Sequence, residues 1–313
     1  MKPSYIQLYP TLRCTQSCEF CFNHGIASHA DMSLDEAMRL LEIAQGIASI
    51  DIMGGEPFLL QWMPRFIEAA LGRGIAVNVS TNGSLPDAIL GLRGLSGLPL
   101  QVGVSLLGAS ASAHATLTGS DNFELAIESI RTIKSIGLEP VAKTVVSRRN
   151  SGELDGIARL LKGLGVPRYN LIHMDALGEN ALAYSFPEFI DIHQKTSCEG
   201  IEIGKVHASC FDRAGLGGIR CAGGTRKLMV MPDGSVYPCN LLVNIDGFRL
   251  GNIFDDPYDA LISSEEIAPL KVFASNRCDR MDCGNHQNCT GGCPAHLYSR
   301  GLPLDAGDPR CMR

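Results

Sequence analysis

Between residues 5 and 173 the chain repeats one pattern: a short apolar run, a polar or glycine-rich turn, then a longer stretch with helical spacing. The runs Tyr5 to Tyr9, Ile50 to Met53, Ile75 to Val79, Gln101 to Ser105, Glu139 to Val145 and Arg168 to His173 predict strands. Segments near 62–73, 86–95, 123–136 and 153–164 predict helices between them. Strands that alternate with helices pair in parallel with right-handed crossovers, because each helix returns the chain to the same end of the sheet. Six such units are too few to close an eight-stranded barrel. The expected fold is therefore α/β, a partial (β/α)6 TIM-like barrel, with active groups at the C-terminal ends of its strands. One more helix is predicted after the first strand, where Ser33 followed by Glu36 makes a capping-box pattern and Leu34, Met38, Leu41 and Ala44 share a face.

A chain of 313 residues with 45% hydrophobic residues has ample core for a large domain and a small one. Its net charge of -6 gives no basic footprint for nucleic acid or an anionic membrane. The apolar start at Tyr5 to Tyr9 is too short for a signal peptide or membrane helix, so a cytoplasmic protein is expected. The uncharged stretch from Gly94 to Ser120 is broken by Gly, Ser and Pro99, which reads as a buried strand with flanking loops.

Twelve cysteines without a secretion signal read as metal ligands rather than disulfides. Three, Cys14, Cys18 and Cys21, are spaced C-x3-C-x2-C, and the other nine lie from Cys198 onward. Thiolates are the usual ligands of iron–sulfur clusters, and three of them leave one iron of a four-iron cluster open to something else. Zinc is the alternative for this head, with His24 as the nearest fourth donor, and a zinc-ribbon-like domain is the alternative for the tail. The loops after the predicted strands carry the other polar signals: Gly54-Gly55-Glu56-Pro57 after the second, Ser80-Thr81-Asn82-Gly83 after the third, and Ser105 at the end of the fourth. All of them share one mouth of the barrel.

The triad, the aromatic Phe20 before its third cysteine and the GGEP segment together resemble the radical S-adenosylmethionine (radical SAM) enzymes over roughly residues 4–180. The resemblance implies that Cys14, Cys18 and Cys21 hold a 4Fe-4S cluster whose fourth iron is chelated by SAM. Gly54, Gly55, Glu56 and Pro57 would then seat the methionine end, Phe20 the adenine, and Ser80, Asn82 and Ser105 the ribose or carboxylate. Several relatives carry an arginine for the SAM carboxylate after the fourth strand. Here that stretch, Ser105 to Gly119, has none, so Lys143 or Arg148 near the end of the fifth strand is expected to supply the charge.

The tail resembles the SPASM extension of these enzymes. Cys221 precedes a Pro-Asp-Gly hairpin turn expected to place Cys239 on the returning strand, and Cys278, Cys283, Cys289, Cys293 and Cys311 follow. Four residues separate Cys278 from Cys283 where the pattern has two. The resemblance implies two auxiliary 4Fe-4S clusters, one on Cys221, Cys239 and Cys293 and one on Cys278, Cys283, Cys289 and Cys311. The first set is one ligand short of closure. Cys210 is the candidate for that place, or else a hydrogen donor to substrate, and Cys198 reads as a buried thiol. Domain limits of 1–182, 183–220 for a bridging segment and 221–313 follow from these motifs.

The cofactor set implies reductive cleavage of SAM to a 5′-deoxyadenosyl radical, hydrogen abstraction and a net oxidation. A ribosomally made peptide or protein is the expected substrate, brought by a separate recognition protein, with reduced flavodoxin or ferredoxin as electron donor. A small-molecule dehydrogenase or epimerase acting on an aminosugar is the second reading, and a scaffold that keeps clusters without cleaving SAM the third. Asp175, Glu179 and Tyr184 are candidates to line the substrate cavity. His114, His173, His193 and His286 read as core or surface residues, and Gly215 to Gly218 is a weak phosphate-loop signal.

Overall fold

The computed structural model describes residues 3–21, 23–26, 30–177, 180–208, 211, 221–271, 282–283, 286–287, 289–304 and 306–311. Glu179, Cys210, Gly215 to Gly218 and Cys278 lie outside these described residues. In chain order the first half runs β1 (Tyr5–Leu8), α1 (Leu34–Ile43), β2 (Ser49–Ile52), α2 (Met63–Gly72), β3 (Ala76–Thr81), α3 (Pro86–Ile89), β4 (Leu100–Ser105), α4 (Ala111–Thr118), α5 (Phe123–Ser135) and β5 (Pro140–Val146). It continues with α6 (Leu154–Gly163), β6 (Arg168–His173), α7 (Phe186–Lys195), β7 (Glu202–Val206), β8 (Lys227–Val230), β9 (Ser235–Tyr237), β10 (Gly251–Asn252), α8 (Tyr258–Ser263), α9 (Ala268–Lys271) and α10 (Pro294–Tyr298).

One ten-stranded sheet has the order β10-β9-β8-β1-β2-β3-β4-β5-β6-β7. The six expected strands form its centre in sequence order, all parallel, which is the partial barrel. Side chains alternate across it. Ile6, Leu8, Ile50, Ile52, Val77, Val79, Val102, Val104 and Leu171 are buried with Phe66 and Ile67 of α2, Ile130 of α5 and Leu161 of α6 in one core. The opposite face carries polar residues in register: Gln7, Asp51, Asn78 and Gln101 in one row, Ser105, Lys143 and Asn170 in another. That polar face is the inside of the half-barrel.

Helix α1 starts as its sequence requires. Ser33 Oγ accepts the Glu36 N–H at 3.2 Å, and Glu36 Oε2 accepts the Ser33 N–H at 2.7 Å. The stretch expected as one helix over 86–95 is α3 followed by a short 3₁₀ turn at Leu90–Leu92. The uncharged stretch after β4, expected as a flanking loop, holds α4.

Both sheet edges extend past the six strands. The segment expected only to bridge contains α7 and β7, and β7 pairs in parallel with β6. On the other side β8 pairs in parallel with β1, Tyr5 opposite Lys227 and Leu8 opposite Val230, so the barrel sheet runs on into the cysteine-rich tail. The hairpin after β8 turns at Gly234, whose φ of +80° suits glycine, and the Gly234 N–H donates to the Met231 carbonyl at 3.0 Å. Strand β9 ends at Tyr237, so Cys239 lies just beyond the returning strand rather than on it. Pro238 has no N–H to continue the ladder. Among the described residues no helix is long and apolar enough to cross a membrane.

Candidate active site

The cysteine loop leaves the C-terminal end of β1 and is clamped from two sides by backbone. From the turn after β2, the Gly55 N–H donates to Thr11 O at 2.9 Å and the Glu56 N–H to Arg13 O at 2.8 Å. This contact explains the two glycines. A Cβ on Gly55 would stand 1.9 Å from Arg13 O, and Gly54, at φ +109°, would put one 2.5 Å from Thr11 O. From α4, the Leu117 and Thr118 carbonyls accept the Glu19 and Ser17 N–H groups at 3.1 and 3.0 Å. Within the loop the Cys21 N–H donates to Cys18 O at 3.0 Å, closing a turn with Glu19 and the partly exposed Phe20 at its centre.

Glu56 points inward. Its Oε1 accepts Thr81 Oγ1–H at 2.8 Å and the Phe58 N–H at 3.0 Å, and its Oε2 accepts the Asn82 N–H at 2.7 Å. The carboxylate thus ties the turn after β2 to the end of β3, and Pro57, next in the chain, is buried. Burial holds its pKa above the ordinary carboxylate value although all three donors pull it down. Asn82 faces the cysteine loop: its Nδ2 donates to Thr15 Oγ1 at 2.9 Å and lies 3.5 Å from Cys14 Sγ.

A second line of hydrogen bonds, missed by sequence reading, supports Asn82 from behind. His114 of α4 is fully buried, and its Nδ1 accepts the Leu107 N–H at 3.2 Å. That contact assigns the proton to Nε2, which donates to Asn122 Oδ1 at 3.3 Å. Asn122 Oδ1 also accepts Gln16 Nε2–H at 2.8 Å, and its Nδ2 donates to Asn82 O at 3.2 Å.

Ser80, Ser105 and Lys143 come together on the inner face of the barrel. Lys143 stands level with Ser105, crosses β4 where Gly103 leaves the backbone bare, and donates from Nζ to Ser80 Oγ at 2.8 Å. A Cβ on Gly103 would lie 2.2 Å from Lys143 Cε. Burial lowers the Lys143 pKa, and the nearby Asp51 carboxylate opposes that shift. Arg148 is elsewhere: its guanidinium bonds Glu188 of α7 at 3.0 Å and lies over the Tyr184 ring at 4.4 Å.

The donor chemistry fits an iron–sulfur cluster and SAM. Burial first, then Cys21 and Cys14, pushes the Cys18 thiol up to about 12, so proximity of the three sulfurs is tolerated only protonated or on a metal. Next to the GGEP turn, Asn23 Nδ2 donates to Gly54 O at 2.8 Å, while its Oδ1 is buried without a hydrogen-bond partner among the described residues. An acceptor left unused there suits an ammonium group.

The tail thiols sort into two sets. Burial, then Cys293 and Cys239, pushes Cys221 up to about 12, whereas Cys311 is pushed to about 12 by burial, Asp308, Cys289 and Cys283. Backbone N–H groups already aim at sulfur: Gly223 at Cys221 and Gly291 at Cys289, each at 3.3 Å. Among the described residues no three of these groups close on a single-ion site. Cys198 is partly exposed, with its thiol 4.0 Å from Glu199 O, rather than fully buried. Of the cavity candidates, Asp175 is bonded to Arg310 and Tyr184 Oη lies 2.8 Å from Ser151 Oγ. His173 and His114 are core residues, and His193 and His286 are half-buried.

Comparison with known proteins gives the same division. A family model described as the radical SAM superfamily matches residues 8–161, and one described as the SPASM iron–sulfur cluster-binding domain matches residues 221–294. The chain is 24% identical over 320 residues to the mycofactocin maturase MftC of Mycobacterium tuberculosis, covering 97% of this chain and 81% of the relative. Streptococcus suis SuiB bound to S-adenosylmethionine superposes with a TM-score of 0.78 at 17% identity, over 99% of this chain and 77% of SuiB. The enzyme anSMEcpe with bound AdoMet superposes with a TM-score of 0.77 at 20% identity, over 99% and 91% of the two chains. The loop that carries Cys14, Cys18 and Cys21, its GGEP clamp and the cysteine-rich tail lie within or beside the two matched stretches, and the chain belongs to the radical SAM superfamily as an enzyme with a SPASM iron–sulfur domain.

Proposed function

We propose that the chain is a maturase that oxidatively modifies a ribosomally made peptide or protein. The observation that carries this reading is the likeness to MftC along 97% of the chain, through barrel and tail alike. SuiB, of the same fold, has been solved bound to its precursor peptide SuiA. In this reading residues 1–182 house the radical chemistry, 183–220 bridge, and 221–313 carry two auxiliary clusters. Cys14, Cys18 and Cys21 would hold the head 4Fe-4S cluster, and cluster and SAM together supply the carbon radical that takes hydrogen from the substrate.

The residues around them bind, orient and exclude water. Asn23 Oδ1 and the backbone of Gly54 and Gly55 receive the SAM ammonium, and Lys143, with Ser105 beside it, neutralises the carboxylate. Phe20 packs on the adenine, and Ser80 and Asn82 hold the ribose. Lys143 is preferred to Arg148 because Arg148 is already paired with Glu188. Cys221, Cys239 and Cys293, with Cys210 as the remaining ligand, would hold one auxiliary cluster; Cys278, Cys283, Cys289 and Cys311 would hold the other. A separate protein presents the peptide, and reduced flavodoxin or ferredoxin in the cytoplasm supplies electrons.

The test is incubation of reconstituted enzyme with SAM, dithionite and each short peptide found encoded beside its gene. A mass change in the peptide that tracks 5′-deoxyadenosine formation is the expected result. Turnover with an aminosugar and none with any neighbouring peptide would overturn the peptide reading. Cys210→Ala should lower iron content; full iron with stalled turnover would make Cys210 a hydrogen donor instead.

A further inference from the structure

Asp308 stands between the two sets of tail thiols. Its Oδ2 accepts the Cys293 N–H at 2.7 Å, and its backbone carbonyl accepts the Cys311 N–H at 2.9 Å. Gly292 must lack a side chain here, because a Cβ would lie 2.4 Å from Asp308 Cβ. Arg310 then grips the same carboxylate with its fork: Nε bonds Oδ1 at 3.0 Å and Nη2 bonds Oδ2 at 2.9 Å. The other arm of the guanidinium reaches Asp175, just past the end of β6 at the barrel mouth, and the plane lies 4.6 Å over the Phe211 ring. His296 Nε2 is 3.5 Å from the same Asp175 oxygen.

The burial of this network is uneven. The Asp308 and Arg310 side chains are 0% and 8% exposed, whereas Asp175 is 31% exposed. Holding two turns together does not require buried charge, since neutral or apolar packing of the same shape does so at less cost. A fixed cation flanked by two carboxylates does something packing cannot: it sets the local field. Hydrogen bonds, charge and burial around cluster sulfurs are what tune cluster potentials. Arg310 is one atom removed from the Cys293 backbone, because Asp308 Oδ2 accepts both the Arg310 Nη2–H at 2.9 Å and the Cys293 N–H at 2.7 Å.

We propose that Arg310 is a positioning residue of the auxiliary clusters, fixing the Cys293 and Cys311 turns to the barrel mouth through Asp308 and Asp175. Its positive charge raises the reduction potential of the cluster beside Cys293, and the Asp175 charge lowers it. The inference rests on the reading of the tail cysteines as cluster ligands. It gives the barrel mouth, where substrate enters, a charged connection to the electron acceptors.

The experiment uses full-length reconstituted protein in which Cys14, Cys18 and Cys21 are alanine, so that only tail clusters contribute to the EPR signal during potentiometric titration. Arg310→Gln should make the tail cluster harder to reduce, and Asp175→Asn should make it easier. Each shift is expected to be on the order of a tenfold change in the reduced-to-oxidised ratio, about 59 mV for one electron. A merely structural role would move both variants the same way or not at all, and either result overturns the proposal. If Arg310→Gln does not load iron, Asp175→Asn decides alone: a raised potential supports the proposal and any other result overturns it. Absence of iron from the triple-alanine parent would instead sink the ligand reading itself, which iron content reports separately.

Discussion

Lys143 Nζ meets Ser80 Oγ at 2.8 Å by lying across the strand between them, in the gap that Gly103 leaves. One hydrogen bond for a mostly buried ammonium leaves it poorly compensated. Its folded pKa is lowered, so the charged form destabilises the folded chain. The stability tied to this group is fully present above its unfolded pKa and is lost as pH falls through the folded value. Lys143→Met should therefore raise the melting temperature at pH 7 without SAM, while weakening SAM binding by about 10- to 100-fold, the loss of one charged hydrogen bond. Calorimetry with and without SAM checks both signs. Unchanged SAM affinity in Lys143→Met, or a comparable loss in Arg148→Ala, would transfer the carboxylate to another group.

Gly55 has no room for a methyl group. Alanine there would drive its Cβ into Arg13 O, a backbone atom with no rotamer to escape by. Gly55→Ala should displace the cysteine loop and abolish head-cluster loading while the tail keeps its iron. Iron analysis of the variant with and without the tail cysteines would separate the two.

His114 gives a pH signature. Burial lowers its pKa, so its stabilising contribution is complete above the unfolded value of about 6.5 and is lost as pH falls toward the folded one. Thermal unfolding of the chain should become easier on acidification below about pH 6.5, and His114→Gln should flatten that slope. An identical slope in the variant would remove His114 from the account. Asn122→Ala, which cuts the same line of bonds nearer the cluster loop, should reduce head-cluster iron without this change in slope.

The cap of α1 supplies a control far from the chemistry. Ser33→Ala removes the acceptor for the Glu36 N–H and should cost about 1 kcal/mol in urea unfolding. Iron content and SAM affinity should stay at the parent values.

The sequence made the barrel legible where burial is one-sided. Ile6 and Leu8, or Val77 and Val79, alternate with polar residues because one face meets helices and the other the interior. Strand β7 carries no such signal, because Glu202, Lys205 and Val206 are exposed at an edge, where no alternation is imposed. Helix α4 has no apolar stripe; its ends are marked only by Ser110, whose Oγ accepts the Ala113 N–H at 3.3 Å, and by Gly119 at φ +62°. Those two caps were a readable signal. The cysteines, and the resemblance they carry, singled out the cluster loop, but not what braces it: Asn122 and His114 are ordinary residues until folding aligns them. Arg310 and Asp308 sit beside Cys311 in sequence, yet Arg310's partner Asp175 is 135 residues away. No local pattern reports such a pairing.

The parallel pairing of β8 with β1 sets a timetable for synthesis. Ser4 and Arg226, which meet where these strands begin, are 222 positions apart. Strand β1 leaves the ribosome before β8, and its outer edge waits for nearly the whole barrel to be made before β8 arrives to cover it. Until then the nascent half-barrel shows an unpaired edge, the kind of surface on which chains aggregate. Truncating the tail would leave that edge open for good, so a chain without β8 should aggregate more readily than the full-length protein.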